Sequence, residues 1–390
     1  MRSRRTVVAA VTLACLASAG PALTAAAVRA PSAVTAATAS STAALAAPAA
    51  TSAAAARPAW RRVDPRGAAD RQFRGLAAVS SKVAWLAGTQ GTVLRTVDGG
   101  RSWADVSPRG LPDTLQFRDV EALDARRAVA LTIGEGTDSR VYRTVDGGAT
   151  WTNFVNPDAK AFYDCIASFS PSEGIALSDP VDGKFRIART TDGGLHWSVQ
   201  SNAGMPAALT GEFAFAASGT CLVTSGSKDA WIASGGSATS RVFHSTDRGR
   251  TWTVSSTPVA SGPSAGIFSL AVRPFTVSVP GASTSGTAVV AVGGDFTLPA
   301  GRTKIAAVSV DSRRWLSSQA MPGGYRSGAA WVPGTVSSLV AVGPTGSDVS
   351  TDAGLTWTGF DAGSFDTVQC AADGGCWASG AAGHVAVLVR

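Results

Sequence analysis

Polar and charged side chains follow aromatic residues at the starts of several predicted strands, and these are the residues that could do chemistry. Arginine guanidinium groups form paired hydrogen bonds with carboxylates, and aspartates can act as acids or bases. We predict that these side chains form a polar binding pocket, and we assign no catalytic residue. The candidate pocket residues are Arg74, Arg118, Asp119, Tyr163, Asp164, Asp179, Tyr325, Arg326 and Asp366.

A purely structural role is the alternative, because charges at strand ends can pair with each other or with water. Other chemistries lack their residues. The three histidines, His196, His244 and His384, form no cluster with acids or cysteines that would hold a metal. No glycine-rich fingerprint lies between a strand and a helix, so no dinucleotide site is predicted. We therefore expect no metal and no other cofactor.

A repeated turn of the form Ser/Thr-x-Asp-x-Gly-x-x-Trp must position these side chains. It occurs in five full copies and in one worn copy at residues 309–315, and we call these segments Asp turns. The short polar side chains can bond to the turn backbone, glycine adopts the positive φ of the turn, and tryptophan buries a large ring. We predict a structural role, joining a third strand to a fourth. Their residues are Asp98 and Trp103, Asp146 and Trp151, Asp192 and Trp197, Asp247 and Trp252, and Asp352 and Trp357.

A second repeat, of the form apolar-Ala-Trp-x-Ala-x-Gly with looser versions, marks seven second strands. It lies at residues 83–88, 128–134, 174–178, 229–235, 288–293, 338–343 and 375–380. Short strands in antiparallel groups of four, each group closed by an Asp turn, are typical of propeller blades. We therefore predict an all-β, seven-bladed propeller of four-stranded antiparallel blades. Six blades, the number of Asp turns, is the alternative.

The two ends of the chain account for the seventh blade. Residues 366–371, 376–379 and 384–389 supply three strands, and residues 60–63 are predicted to supply the fourth. Trp60 stands where the other blades have the tryptophan that follows the Asp turn. An N-terminal strand in the last blade would close the ring and remove its open edges. In such a ring the inner-strand starts face away from the Asp turns, at one mouth of the central channel.

The Asp turns resemble Asp-boxes, also called BNR repeats, and residues 59–390 resemble an Asp-box propeller. The resemblance is greatest to photosystem II assembly and stability factors and to secreted bacterial WD40/YVTN/BNR-like repeat proteins. It implies a protein-binding, glycan-binding or assembly module. Asp-boxes are specific for the fold and not for the function.

Sialidases also carry Asp-boxes, which makes a glycoside hydrolase the alternative function. Arg74-Gly75-Leu76 stands where that family has Arg-Ile-Pro, and Glu212 with Tyr325 could form its nucleophile pair. Sialidases have six blades, however, and an oxidoreductase function has no support in the sequence. Whether the protein is an enzyme stays open, with a binding function favoured.

The N-terminal residues predict export. Residues 1–30 read as a signal peptide of the general secretory or twin-arginine type, and residues 31–58 as a disordered linker of Ala, Ser, Thr and Pro. Five of the 34 basic residues lie before residue 59, which leaves 29 against 27 acids. The propeller is thus nearly neutral, and nucleic acid is not an expected partner. We expect an exported monomer without stable membrane insertion.

Four cysteines remain in the predicted mature chain, and an even number favours disulfides in an exported protein. Cys370 and Cys376 flank a short predicted turn between adjacent strands, so we predict a disulfide between them. Cys165 and Cys221 hold matching positions in successive blades. Their sequence positions leave open a disulfide or two buried thiols, and the thiols are favoured.

Overall fold

A computed structural model of the chain describes residues 58–279 and 282–389. The predicted signal peptide (1–30) and, apart from Pro58, the predicted linker (31–58) lie outside the described residues. The described part contains 28 strands and two single 3₁₀ turns, Gly136–Asp138 and Ala381–Gly383. Neither of these turns has the length or the apolar character to cross a membrane.

The strands form seven four-stranded antiparallel sheets, which confirms seven blades rather than six. The inner strands are β2 (Phe73–Ala78), β6 (Gln116–Ala122), β10 (Tyr163–Ser168), β14 (Leu222–Ser225), β18 (Ala265–Val279), β22 (Gly328–Trp331) and β26 (Thr367–Cys370). The second strands are β3 (Ala84–Gly88), β7 (Ala128–Ile133), β11 (Gly174–Val181), β15 (Asp229–Ala233), β19 (Ala282–Asp295), β23 (Leu339–Gly343) and β27 (Cys376–Ser379).

Outside these lie a third and a fourth strand in each blade. The third strands are β4 (Val93–Thr96), β8 (Arg140–Thr144), β12 (Lys184–Thr190), β16 (Arg241–Ser245), β20 (Ala306–Ser309), β24 (Gly346–Ser350) and β28 (Val385–Val389). The outer strands are β5 (Ala104–Asp105), β9 (Thr152–Val155), β13 (Ser198–Val199), β17 (Thr253–Ser256), β21 (Leu316–Ser317), β25 (Thr358–Asp361) and β1 (Ala59–Arg62). We number the blades 1 to 7 from the blade that begins with β2.

The ring closes through the N-terminal strand, as the sequence predicts. Strand β1 pairs antiparallel with β28, with Trp60 opposite Leu388. The indole N–H of Trp60 donates to Ser347 Oγ at 2.9 Å, and its ring packs on Phe360 and Phe365 with centroids 5.9 and 5.5 Å away. Each inner strand contacts the next, and β26 contacts β2. Blade 7 is therefore built from both ends of the described chain.

The Asp turns join the third and fourth strands of blades 1 to 6. In blade 1, Thr96 Oγ1 donates to Asp98 at 2.9 Å and accepts from the Gly100 amide at 3.0 Å. The same carboxylate accepts from the amide and the hydroxyl of Ser102 at 3.0 and 2.6 Å. These bonds lower the pKa of Asp98 to about 2. The turn is thus satisfied by its own side chains, on the face away from the inner-strand starts.

Two features depart from the sequence patterns. Strands β18 and β19 form a hairpin of 15 and 14 residues, far longer than the second strand predicted at 288–293. The connection from blade 3 to blade 4, residues 200–221, is also long and contains no strand. The predicted disulfide between Cys370 and Cys376 is present within blade 7. Cys165 and Cys221, for which the sequence did not favour a disulfide, are also bonded to each other, between blades 3 and 4.

Candidate functional site

Irregular pairing at the starts of four inner strands determines which side chains reach the channel mouth. The register of β2, β6, β10 and β18 against their second strands skips one residue each, near the first strand position. A β-bulge of this kind leaves one residue unpaired and turns its side chain in a new direction. The four skipped residues are Arg74, Arg118, Asp164 and Phe268. The aromatic-polar pattern of the sequence therefore coincides with bulges in three of these blades.

Arg74, Arg118 and Asp366 form a charged cluster where blades 1, 2 and 7 meet. Arg74 Nε lies 3.9 Å from Asp366 Oδ1, and Gln72 donates to the other carboxylate oxygen at 2.8 Å. Burial and the charge of Arg74 lower the pKa of Arg118 to about 10. Burial raises the pKa of Asp366, and the two arginines oppose that rise. The cluster holds two cations against one carboxyl group, so it favours an acidic group on a ligand.

Asp164 and Asp179 form a carboxyl pair in blade 3. Their side chains are hydrogen-bonded to each other, and burial followed by the charge of Asp179 raises the pKa of Asp164 well above its ordinary value. Burial raises the pKa of Asp179 to about 7. Ionising both of two adjacent buried carboxyl groups would place two repelling negative charges in a poorly solvated site, so the pair retains one proton at neutral pH. Asp179 Oδ1 also accepts from the Ala214 amide at 2.8 Å.

Aromatic rings line the other side of the mouth, at blades 4 to 6. Phe215 stacks on Phe268 with centroids 3.7 Å apart, and Tyr325 meets Phe268 edge-on at 4.7 Å. The aromatic cluster comprises Phe213, Phe215, Phe268, Phe296 and Tyr325. Phe296 is 51% exposed, and Leu298 beside it in the chain is 65% exposed. The exposed ring of Phe296 thus packs on buried aromatic rings, with a second exposed apolar side chain two residues away in the chain.

Residues 213–221, which we call the channel loop, cross the channel below these two clusters. The Ala216 carbonyl accepts from Arg118 of blade 2 at 3.1 Å, and the Ser218 carbonyl accepts from Thr367 of blade 7 at 2.9 Å. The Thr220 carbonyl accepts from the Leu270 amide of blade 5 at 3.0 Å. Blades 2 and 7 are not neighbours of blade 4, so the loop must span the channel to reach them. It forms the floor of the mouth.

Asp119 of blade 2 packs against this floor. It is buried, and its carboxylate accepts from the amides of Val120 and Ile166 at 2.7 Å each. A Cβ added to Gly219, whose φ is +77°, would lie 2.3 Å from Asp119 Oδ1. Burial and the charge of Glu121 raise the pKa of Asp119 well above its ordinary value. The carboxyl group therefore lies against the floor and not in the open mouth.

A separate chamber of about 340 Å³ lies below the channel loop, toward the Asp-turn face. Glu121, Trp331 and Gln369 line it, with Gly219 and Thr220 of the loop. Burial raises the pKa of Glu121 to about 7. The loop therefore divides the channel into a shallow mouth and a lower chamber.

The remaining predicted residues lie apart from the open mouth. The Tyr163 ring is buried in the core between blades 2 and 3; burial and the charge of Asp158 raise its pKa. Arg326 is 2% exposed, and its Nε donates to Asp348 of blade 6 at 2.6 Å. The structure brings Arg74, Arg118 and Asp366 together at the mouth, and it brings Asp164 and Asp179 together as a separate pair. Tyr325 lies near the first group: burial and then the charge of Asp366 raise its pKa.

Sequence reasoning missed three parts of the site: the channel loop, the rings of Phe268 and Phe296, and the contact with Gln72. The signals were an unusually long connection before β14 and the run of aromatic residues Phe213 and Phe215 within it. Glu212, which precedes that run, is ion-paired with Arg241 and accepts from the Ser234 hydroxyl at 2.6 Å. Within residues 58–279 and 282–389 no group of three or more metal-ligating side chains lies close enough to hold a metal.

Comparison with known proteins finds no matching family and no matching curated protein. Solved structures do resemble the chain. YCF48 bound to D1 peptide superposes with a TM-score of 0.58 at 16% identity, covering 85% of this chain and 97% of that one. YCF48 from Cyanidioschyzon merolae gives 0.55 at 16%, covering 84% and 98%. The Neurospora crassa Pan2 WD40 domain gives 0.51 at 13%, covering 83% and 89%. Such low identities show the propeller fold alone.

Proposed function

We propose that this protein is a binding module that holds a protein or peptide partner at the channel mouth. Two features of the mouth carry the proposal: exposed Phe296, which packs on the aromatic cluster and has exposed Leu298 beside it in the chain, and the charged cluster across the mouth. Aromatic residues and arginine are enriched at the centres of protein interfaces. The side chain of Phe296 is free to be covered, while the rings beneath it are already fixed.

The shape of the mouth supports a large ligand over a small one. Small molecules bind in deep concave sites that enclose most of their surface. Here the channel loop raises the floor, so a ligand contacts a broad and shallow surface. One of the similar structures is described as binding a peptide, which agrees with this choice and adds no detail to it.

Glycan binding and glycoside hydrolysis are less well supported. The two carboxyl groups of a glycosidase are separated by about 5–10 Å to flank the sugar bond. Asp164 and Asp179 instead share a side-chain hydrogen bond, which leaves no room for a sugar between them. Glu212, the other carboxylate considered from the sequence, is held by Arg241. We further propose that the protein is exported, because two disulfides form in the described chain and residues 1–30 have the composition of a signal peptide.

Selection of peptides from a displayed random library on the purified propeller tests the binding function. Peptides that bind the wild type should bind Phe296→Ser/Leu298→Ser at least about tenfold more weakly, since two anchors of a contact are lost. Arg74→Ala should weaken those that carry acidic residues. Val336→Ser is the matched control, because Val336 is 92% exposed and lies in a loop on the opposite face.

Three results would count against the proposal. In the first, selection enriches no peptide. In the second, the enriched peptides bind the mouth variants as tightly as the wild type. In the third, a glycan array yields ligands for the propeller while the peptide library yields no binders, which would favour the glycan alternative. Hydrolysis of an aryl glycoside that is lost in Asp164→Asn would instead favour the enzyme.

A further inference from the structure

Tryptophan fills the contact between adjacent blades at three places in the ring. Trp85, Trp231 and Trp377 hold equivalent positions in the second strands of blades 1, 4 and 7. Each indole N–H donates to the next blade, to the Asp124 carbonyl at 3.0 Å, to Ser312 Oγ at 2.8 Å and to the Ser80 carbonyl at 2.9 Å. All three rings are almost fully buried. An indole is therefore the side chain that this fold uses to fill the site.

Blade 2 carries Val129 at the same position. Val129 lies opposite Arg143 in the sheet, as Trp85 lies opposite Arg95. The arginines keep equivalent contacts: Arg95 donates to the Gly147 carbonyl at 2.9 Å, and Arg143 donates to the Gly193 carbonyl at 2.8 Å. The surroundings of the missing indole are thus preserved between blades 2 and 3.

A groove of about 320 Å³ occupies this place, and we call it the blade 2–3 groove. Val129, Val145, Ser170, Pro171 and Trp197 line it. Leu123 and Val145, on the groove lining, are 41% and 44% exposed. An apolar cavity of about 150 Å³ is enough to hold a benzene ring in a protein interior, so this groove has room for a larger aromatic ring.

The other blades without this tryptophan have closed the gap. Their residues at the position are Ile175, Val290 and Val340, and each is at most 1% exposed. Val129 packs on the next blade's turn at Gly194, as Ile175 does at Gly249 and Val290 at Gly354, so the blades differ in the exposure of this residue and not in its turn contact. Val129 alone among these four remains partly exposed. The opening is therefore a property of one blade junction and not of the repeat.

The hydrogen-bond acceptor for an indole also has its counterpart. Asp124, which accepts from Trp85, follows Leu123, whose amide donates to the Arg127 carbonyl. Ser170 follows Phe169, whose amide donates to the Glu173 carbonyl in the same way. Ser170 holds the place of the acceptor and lines the groove.

The tryptophan that follows the Asp turn makes different hydrogen bonds in blades 2 and 3. In blade 2, Trp151 donates to the Val106 carbonyl of blade 1 at 2.8 Å and meets Trp85 edge-on. In blade 3, Trp197 donates to the Gly194 carbonyl of its own turn at 3.1 Å, as the corresponding tryptophans of blades 4 and 6 do in theirs. Its ring stays as one wall of the groove, where an entering indole could meet it edge-on as Trp85 meets Trp151.

We infer that the blade 2–3 groove binds an indole ring, the side chain of a tryptophan on a partner peptide. The ring enters beside Val129, packs against Trp197, and donates its N–H to the turn of blade 3 at Ser170. The site lies on the Asp-turn face and is independent of the channel mouth, because none of the mouth residues lines it.

Titration with N-acetyl-tryptophanamide, followed by nuclear magnetic resonance, tests the inference. Saturable binding is expected in the wild type, with shifts at the methyl groups of Val129 and Val145. Val129→Trp should fill the groove with the chain's own indole and weaken the titration at least about tenfold. Val310→Trp, at a 51% exposed valine of another Asp turn, controls for an added tryptophan. Phe296→Ser should leave the binding unchanged, which separates this site from the mouth.

The source of the indole is tested in the same titration. Free tryptophan carries an ammonium and a carboxylate group, which N-acetyl-tryptophanamide lacks. If the groove binds a tryptophan within a peptide, the amide should bind more tightly than the free amino acid. Tighter binding of free tryptophan would show that the indole does not come from a peptide. Unsaturable titration of the wild type, or equal affinity in Val129→Trp, would overturn the site itself. If Val129→Trp fails to fold, shifts in the wild type that lie away from Val129 and Val145 would overturn it as well.

Discussion

The carboxyl pair of blade 3 should make the stability of the propeller fall between mildly acidic and neutral pH, and Asp179→Asn should make that fall shallower, because Asp164 still titrates in the variant. Burial raises the pKa of Asp179 from 3.8 to about 7, so the folded protein binds this proton more tightly than the unfolded chain. Its stabilising effect is complete below the unfolded pKa and is lost as pH rises through the folded pKa. At about 1.36 kcal/mol per pH unit the loss amounts to about 4 kcal/mol as an upper value.

Asparagine at position 179 does not titrate and can still accept the Ala214 amide through its carbonyl oxygen. The measurement is urea unfolding at pH 4.5, 6.0 and 7.5, with the free energy of unfolding compared between wild type and variant. Burial also raises the pKa of Glu121, Asp119 and Asp366. These groups titrate in both proteins, so the difference between the two curves reports on the Asp164–Asp179 pair. Asp182→Asn, at an exposed aspartate in the same blade, is the control and should follow the wild type. Parallel curves for wild type and Asp179→Asn would refute the reasoning.

Three further outcomes follow from packing. Trp60→Ala should lower the free energy of unfolding by about 2–3 kcal/mol, which is below the range for a fully buried tryptophan because Trp60 is half-buried. Arg61→Ala, at an exposed position of the same strand, is the control. Equal thermal stability of the two variants would contradict ring closure by β1. Gly219→Ala should destabilise the propeller by more than Gly226→Ala, because a Cβ at Gly226, which also has a positive φ, would meet nothing within 4 Å. Equal losses of about 1 kcal/mol would show that the contact with Asp119 is not the cause. Replacing Cys165 and Cys221 by alanine should lower the free energy of unfolding by about 4 kcal/mol, and replacing Cys370 and Cys376 by about 2 kcal/mol, because the first disulfide closes the longer loop. A larger loss for the 370–376 pair in urea unfolding would contradict this.

The fold could be predicted from the sequence because its signals are local and repeated. The Asp turn encodes its own hydrogen bonds within a few residues, and the second-strand repeat counts blades without reference to the turns. Trp60 was recognisable because it stands where the turn tryptophans stand. The length of the β18–β19 hairpin was not predicted, since no core position marks where its strands end.

The site could be predicted only in part, for a physical reason. Aromatic-polar pairs identified Arg74, Arg118 and Asp164, and bulges fall at those positions. Arg74 and Arg118 belong to the charged cluster of the mouth, whereas Asp164 is buried beside Asp179. The pattern did not separate them from Arg326, which Asp348 holds inside blade 6. That distinction depends on contacts between distant strands, which no short motif records.

The channel loop illustrates the same limit. Its residues are uncharged and, apart from Phe213 and Phe215, small. Its role arises from carbonyl groups that reach Arg118, Thr367 and Leu270 in three other blades. Backbone groups carry no sequence signature. A long connection indicated an insertion, but only the three-dimensional arrangement shows that it closes the channel.

The most direct test of the central claim is photo-crosslinking from the mouth to a selected peptide. A photoreactive phenylalanine analogue replaces Phe296 in one protein and Val336 in another, so that the two reporters lie on opposite faces. We expect a crosslink to the peptide from position 296, abolished by excess unlabelled peptide, and none from position 336. A competed crosslink from position 336 with none from position 296 would contradict the assignment of the channel mouth as the binding surface.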